Sequence, residues 1–498
     1  MAARLAVFWA DPLPVPAIHD EFSYLLQADT FLHGKLTNPP HPMALFLDTF
    51  HVLYHPTYQS MYPPAQGALL GLGRLLGHPW VGVLLSMALL CAVLAWMLQG
   101  WLPPSWALLG GVIVLLRIHL FSYWSDSYWG GAAAAIGGGL VLGAFRRIVQ
   151  HQRPRDAVLL GIGVALLANS RPLEGFIFCL PIAAVLLVWL FSERSPGLYA
   201  SGSHVVLPLL AVLAGTAAFM GYYNWRVTQN CFVFPRALYQ RERLNLPIFL
   251  WDPLRPPLHY SNPQFEQFYN VTERNLYLSS WNELSGENAI DWWKFFMGGA
   301  LSIPFATLPW MFRDRRIRWP LIQFMWCALG ILSVRYFFPH YAAPMTATFL
   351  LLLMQAMRHL RCWKLNGRPL GVFLTRVVVV LLVVRMGMQA ADAYRNPRSS
   401  FAVNRAGIVK QLEDIPGKHL VIVRYAPDHF SDHEWVYNDA DIDASKIVWA
   451  REIPNVDMAP LLEYFRDRKV WLVQADHQPQ QREEYRSPPG AIHASDKP

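Results

Sequence analysis

Residues 81–98 read VGVLLSMALLCAVLAWML, an uncharged apolar run close to the roughly 20 residues a helix needs to cross the hydrocarbon core of a bilayer. Similar uncharged runs recur at 129–145, 175–192, 205–225, 295–312, 319–334 and 341–357. Weaker blocks lie at 105–121, which carries Arg117, at 157–170, and at 369–388, which carries Arg376 and Arg385. The series predicts ten membrane helices, eleven if a further one precedes them. The 498-residue composition agrees: 54% of residues are hydrophobic and 15% charged, against about 25% charged in soluble domains. That balance excludes a soluble enzyme, a disordered chain, a disulfide-rich module and a coiled coil. Lys and Arg outnumber Asp and Glu by 42 to 34, but in a membrane protein the placement of basic residues matters more than their sum.

The basic residues cluster in alternate connections. Arg146, Arg147, Arg153 and Arg155 share one, Arg313, Arg315, Arg316 and Arg318 a second, and Arg358, Arg361, Lys364 and Arg368 a third. The positive-inside rule puts these three in the cytoplasm. Connections 122–128, 169–174 and 336–340 then lie outside, together with two long loops, 11–78 and 224–294. The expected organisation is a helical membrane domain, 1–390, followed by a small extracytoplasmic α/β domain, 391–498. In that second part HLVIVRY (419–425), 447–450 and 469–473 read as strands and 458–467 as a helix. About 100 residues of ordinary composition are enough to bury a core of their own. The polar tail after Gln478 reads as disordered. The opening residues ARLAVFWA supply half a span and lack the features of a cleaved signal peptide, which suggests a truncated or misassigned start. Cys91, Cys179, Cys231, Cys327 and Cys362 form no CxxC, and only Cys231 falls in an outer loop, so no structural disulfide is expected.

Chemistry concentrates in the outer connections. IHDEFSYLLQADTFLHGKLTN (18–38) sets the adjacent carboxylates Asp20 and Glu21 at the start of a helix. Tyr24, Leu25, Ala28, Phe31 and Leu32 give it an apolar stripe, and it reads as an amphipathic helix lying on the outer membrane surface. Asp20 falls on that stripe. Helix capping accounts for acids in a first turn equally well. MYPPAQG (61–67) is a loop-to-helix joint. SYWSDSYWGG (122–131) puts Asp126 among four aromatics, with no basic partner evident; the aromatics also suit an interfacial belt. NSRPLEG (169–175) holds Arg171 and Glu174, which could pair, although a lone guanidinium in an outer loop is shaped for phosphate. RYFFPHYAAP (335–344) adds Arg335, His340 and Tyr341 at an outer helix end.

Other patterns carry less. Asp439, Asp441 and Asp443 open like a calcium loop, but Ala444 and Ala450 stand where Gly and Glu are needed. Asp428, His429, Asp432 and His433 match no metal spacing and read as a polar loop. Asn270 begins a glycosylation sequon. There is no Walker loop, GxSxG or HExxH.

In their order along the chain, DEFSYLLQAD, YPPAQG, the Asp126 loop, SRPLEG and PHYAAP resemble the C-type membrane glycosyltransferases, which include protein O-mannosyltransferases and lipid A aminoarabinose transferases. The resemblance covers roughly residues 15–345. It implies transfer of a hexosyl or pentosyl group from a polyprenyl-phosphate sugar to a lipid, polysaccharide or protein acceptor. The reaction would use no nucleotide sugar, with a divalent metal as an open question. The expected setting is the outer face of a bacterial-type cytoplasmic membrane. The resemblance makes Asp20 the base or acceptor-orienting group with Glu21 beside it, and Asp126 a second acidic site. Arg171, His340 and Arg335 would supply the positive field for the phosphate, with Glu174 and Tyr341 among the substrate contacts. A transporter or lipid flippase would place ionisable residues at mid-membrane in repeated halves; Arg117, Arg376 and Arg385 favour it, the missing repeat does not. A lipid-linked glycan ligase would share the architecture.

Overall fold

A computed structural model describes residues 1–6, 13–192, 198–278, 281–335, 337–395, 400–477 and 482–485. Position 336 and the tail beyond 485 lie outside the described residues. Every apolar block of the sequence is helical. Five helices among the described residues are long and apolar enough to cross a membrane: Pro79–Gln99, Ala132–His151, Pro172–Leu190, Gly202–Thr228 and Leu370–Arg395. Shorter apolar helices are Pro104–Val114, which runs into a π turn at Leu115–His119, Pro154–Ala168, Arg318–Leu332 and Thr346–Arg361. Many start on proline, whose fixed φ and missing N–H suit the first helical position: Pro64, Pro79, Pro104, Pro154 and Pro172.

One block departs from the expected single span. Residues 295–312 divide into a π turn ending at Met297, an α-helical turn Gly298–Ser302, a 3-10 turn Ile303–Thr307 and the short helix Leu308–Met311. Pro304 and Pro309 each remove a backbone donor, which explains the segmentation. A second 3-10 segment, Pro339–Met345, leads into Thr346–Arg361. It lies directly on helix Ala132–His151, because Gly138 lets the Pro344 carbonyl in: a Cβ there would be 2.1 Å from that oxygen.

A continuous apolar core, including Leu94, Met97, Leu142, Leu353 and Met354, joins the helices to Phe50, Met61 and Tyr62 of the long first connecting loop. That loop contains helix α1, His19–Leu32, a two-residue hairpin of β1 (Val52–Leu53) and β2 (Gln59–Ser60), and helix α2, Pro64–Leu75. α1 does not lie on a membrane surface as its stripe suggested. Its polar residues are buried as well: Ser23 Oγ donates to the His51 carbonyl at 2.7 Å, and Gln27 Nε2 donates to the Tyr62 carbonyl and the Tyr223 hydroxyl, both at 2.9 Å. A helix with polar groups satisfied on its inner side is covered by protein rather than lipid.

The cover is the C-terminal part. Its sheet runs β4-β3-β5-β6, with β3 (His419–Arg424), β4 (Ile447–Arg451) and β5 (Lys469–Gln474) parallel and β6 (Arg482–Glu484) antiparallel at the edge. Thus part of the supposed disordered tail is a strand, fixed by its ladder to β5. The expected helix is shorter, Ala459–Tyr464. One sheet face, with Leu420, Ile422, Val448 and Leu472, packs with Leu26, Phe46, Leu47, Tyr54 and Tyr58 of the first connecting loop. The other packs with Phe401, Leu412 and Trp435. The C-terminal core is therefore shared rather than its own, as both faces of a parallel sheet need cover. Polar ties reinforce the contact. The Ala440 N–H donates to Asp29 at 2.8 Å, and Tyr58 donates to the Asn438 carbonyl at 3.0 Å. The buried Arg451–Glu434 pair reaches the Asp48 carbonyl at 3.3 Å, and Asp48 itself pairs with Arg243 at 2.6 Å.

Candidate active site

The two adjacent acids at the start of α1 have different surroundings. Glu21 is buried and caps its own helix: its carboxylate accepts the N–H of Ala17 at 2.7 Å, of Ile18 at 3.3 Å and of Tyr128 at 3.0 Å. Here the capping reading is right, and the third bond fastens α1 to the 122–131 connection. Burial nevertheless pushes its pKa up to about 7. Asp20 turns the other way, into a cavity. It accepts a short hydrogen bond from the Tyr62 hydroxyl and lies 3.7 Å from His51 Nδ1. Burial raises its pKa above the ordinary carboxylate range, against the Tyr62 bond and the positive fields of His19, Arg236 and Arg171.

His51 is held in an unusual backbone conformation, φ +60°, which costs a non-glycine residue of order 1–3 kcal/mol. Three hydrogen bonds fix it there: its N–H to the Tyr239 hydroxyl at 2.7 Å, and its carbonyl to Ser23 at 2.7 Å and the Met61 N–H at 3.2 Å. Its Nδ1 lies 3.2 Å from the Tyr62 hydroxyl. Burial lowers its pKa well below the usual imidazole range, so the ring is neutral. Acid, phenol and neutral imidazole thus meet around one hydroxyl.

The cavity of about 340 Å³ next to Asp20 is also lined by His19, Phe268, Glu273, Phe338 and Asp432. Burial, with the charges of Asp432 and Asp20 adding to it, pushes the pKa of Glu273 up to about 7. A second cavity, of about 460 Å³, is lined by Arg171, Arg236, Arg241, Arg255 and Glu174. Tyr62, Arg236 and Tyr341 line both cavities and form the partition between them. The Arg171 guanidinium stacks 4.2 Å from the Tyr341 ring centre. A small apolar crevice, from Glu174 and Tyr341 to Phe178, Cys327 and Ile331, continues between helices Pro172–Leu190 and Arg318–Leu332.

Of the residues singled out in the sequence, Asp20, Arg171, Glu174 and Tyr341 come together at these cavities. Asp126 does not join them: it has the basic partner the sequence hid, Arg4, at 3.0 Å. Arg335 lines neither cavity; its backbone N–H and guanidinium bond the carbonyls of Ile248 and Leu250, both at 3.3 Å, and so hold the turn beside the arginine cavity. His340 stands one layer behind, against Trp129, Phe338 and Tyr341, with Nδ1 and its N–H each 3.0 Å from the Tyr123 hydroxyl. Burial and the charge of Arg171 lower its pKa well below the usual range, so it supplies no positive field.

Sequence reasoning missed Tyr62, His51 and Arg236. Tyr62 had a signal, as the tyrosine of MYPPAQG next to a motif read only as a joint. His51 and Arg236 had none, because His51 enters the site from a turn and Arg236 from the short helix Pro235–Tyr239, neither of which carries a motif. No group of three or more His, Cys, Asp or Glu close enough to hold a metal occurs among the described residues.

No protein-family model and no curated protein matches the chain. Among solved structures the chain is similar to ArnT from Cupriavidus metallidurans in the apo state, at 14% identity and a TM-score of 0.48, over 95% of this chain and 91% of that one. For the same protein bound to undecaprenyl phosphate the values are 14%, 0.45, 88% and 83%. The oligosaccharyltransferase of Archaeoglobus fulgidus in the apo form is similar at 11% identity and a TM-score of 0.43, over 87% of this chain and 62% of that one.

Proposed function

We propose that the chain is a membrane glycosyltransferase that moves a sugar from a polyprenyl-phosphate donor to an acceptor hydroxyl on the outer face of the membrane. The observation that carries this reading is the paired cavities: Asp20 with Glu273 and Asp432 in one, four arginines and Glu174 around the other, and a common wall of Tyr62, Arg236 and Tyr341. The motif resemblance of the outer loops supports it. A donor phosphate in the arginine cavity brings its anomeric carbon to the partition. An acceptor hydroxyl enters from the Asp20 side.

The step is a displacement. The acceptor oxygen bonds to the anomeric carbon while the bond from that carbon to the phosphate oxygen breaks. The electron pair leaves with the polyprenyl phosphate, and the acceptor's proton passes to Asp20. A carboxylate with a raised pKa is a better base than an ordinary one. Arg171 and Arg236 stabilise the charge that develops on the leaving phosphate. Tyr62 keeps the Asp20 carboxylate oriented, and neutral His51 orients Tyr62.

The test is transfer of radiolabelled sugar from a polyprenyl-phosphate donor by reconstituted protein, wild type against Asp20→Asn. Loss of transfer with donor binding retained is expected; full transfer by the variant would remove the proposed base. A transporter reading would need Arg117, Arg376 and Arg385 of the apolar segments to line a path, and none of the three lines either cavity.

A further inference from the structure

Arg117 and Arg385 take no part in the proposed reaction, yet both sit in apolar segments where an ionised side chain is costly. Arg117 is buried in the π turn Leu115–His119. Its guanidinium donates to the Lys294 carbonyl and, more distantly, to the Phe296 carbonyl at 3.5 Å, both at the start of the broken segment. The chain turns there at Gly298, φ +62°, where a Cβ would lie 3.1 Å from the Arg117 guanidinium.

Arg385 comes from helix Leu370–Arg395, which packs against the π turn that carries Arg117. One turn on, Gln389 donates to the Phe121 carbonyl at 3.3 Å, which fastens the helix beside the π turn. Arg385 Nη1 is buried and has no hydrogen-bond partner. The rest of its side chain is half-buried between exposed Leu381, Val384 and Met388, an apolar surface of the kind that faces lipid. Neither guanidinium pairs with a carboxylate among the described residues. At 1.5 Å per residue, Arg385 is about 22 Å along the helix from Leu370 and about 15 Å from Arg395, within reach of a headgroup layer at that second end.

Arg117 is held by backbone carbonyls, whereas Arg385 keeps a buried nitrogen without a partner, and among the described residues no carboxylate balances either charge. We propose that Arg117 and Arg385 form a binding site for the phosphate of a bilayer phospholipid. Its acyl chains lie along the apolar surface of helix Leu370–Arg395. Basic pockets between membrane helices recognise lipid headgroups through the same chemistry. The site is separate from the arginine cavity and does not depend on the proposed transfer reaction.

The experiment is native mass spectrometry of full-length, delipidated protein in detergent, titrated with dioleoylphosphatidylglycerol. Wild type and Arg171→Ala are expected to bind it alike. Arg385→Gln is expected to bind at least about tenfold more weakly, the scale of one lost charge-assisted hydrogen bond, and Arg385→Lys to recover part of the loss. Dioleoylglycerol, which lacks phosphate, is expected to bind no better to wild type than to Arg385→Gln. Equal phospholipid affinity in wild type and Arg385→Gln would overturn the inference. So would loss in Arg171→Ala instead, which would put the phosphate in the arginine cavity, or inorganic phosphate alone binding at Arg385 as tightly as the lipid.

Discussion

The Asp20 cavity and the arginine cavity share a wall and are built by opposite means. The Asp20 side is assembled from residues 18–62 and 239–273, Trp129, Phe338, Tyr341 and the C-terminal part, and burial keeps its His51 neutral. The arginine side draws on Tyr62 and Pro63, the start of helix Pro172–Leu190, residues 234–255, and Val334 and Tyr341, and Arg241 and Arg255 are exposed there. The difference teaches a division of labour. Proton transfer needs a carboxylate whose pKa is lifted by desolvation, so that side is enclosed; a phosphate needs positive field, which guanidiniums keep even beside water.

Breaking the Asp20 side should have the largest effect. Asp20→Asn is expected to lower kcat by about 10²–10⁴-fold, the range of a lost general base, with the melting temperature of the purified protein unchanged or higher. A fall of less than tenfold would mean the enclosed carboxylate does not take the proton. On the other side, Arg171→Ala removes a charge-assisted contact of about 1.5–3 kcal/mol and should weaken donor binding roughly 10–100-fold, read by titration with polyprenyl phosphate. Arg171→Lys should restore only part, since a point charge does not replace a planar fork.

The shared wall sharpens the comparison further. The Tyr62 hydroxyl bonds the charged form of Asp20 and so lowers its pKa; Tyr62→Phe should raise that pKa further. Activity requires ionised Asp20 and is lost as pH falls through its pKa. The acidic limb of the pH–rate profile should therefore lie above the ordinary carboxylate range in wild type and move to still higher pH in Tyr62→Phe, with a drop of up to about tenfold at neutral pH. An unmoved limb would separate Tyr62 from the proton chemistry. Glu21→Gln should do least to catalysis, a few-fold at most, while costing about 1 kcal/mol of stability through the weakened cap, seen in thermal unfolding. Loss of activity on the scale of Asp20→Asn would show that the two adjacent acids are not divided as their hydrogen bonds imply.

The adjacent pair shows how far sequence reading reaches. Composition and hydrophobic runs locate the helices, because burial in lipid demands uncharged stretches of fixed length. Asp20 and Glu21 are recognisable as a pair at a helix start, but that Glu21 also ties its helix to the 122–131 connection depends on the N–H of Tyr128, more than a hundred positions away. Asp126 looks unpartnered for the same reason: Arg4 is its neighbour only in space. The apolar stripe of α1 misleads because a side chain packed under protein and one dissolved in lipid have the same composition.

The sequence by itself determined a polytopic helical chain, a mixed C-terminal part and the connecting segments in which Asp20, Arg171, Glu174 and Tyr341 lie. These follow from local regularities, namely run length, period and turn residues. Only the tertiary structure decided that Tyr62, His51 and Arg236 stand with them, that His340 and Asp126 do not line the cavities, and that the C-terminal sheet closes over the first connecting loop. Each of those depends on contacts between segments far apart in the chain, where shape, desolvation and hydrogen-bond geometry act on residues whose own neighbours in sequence carry no trace of the meeting.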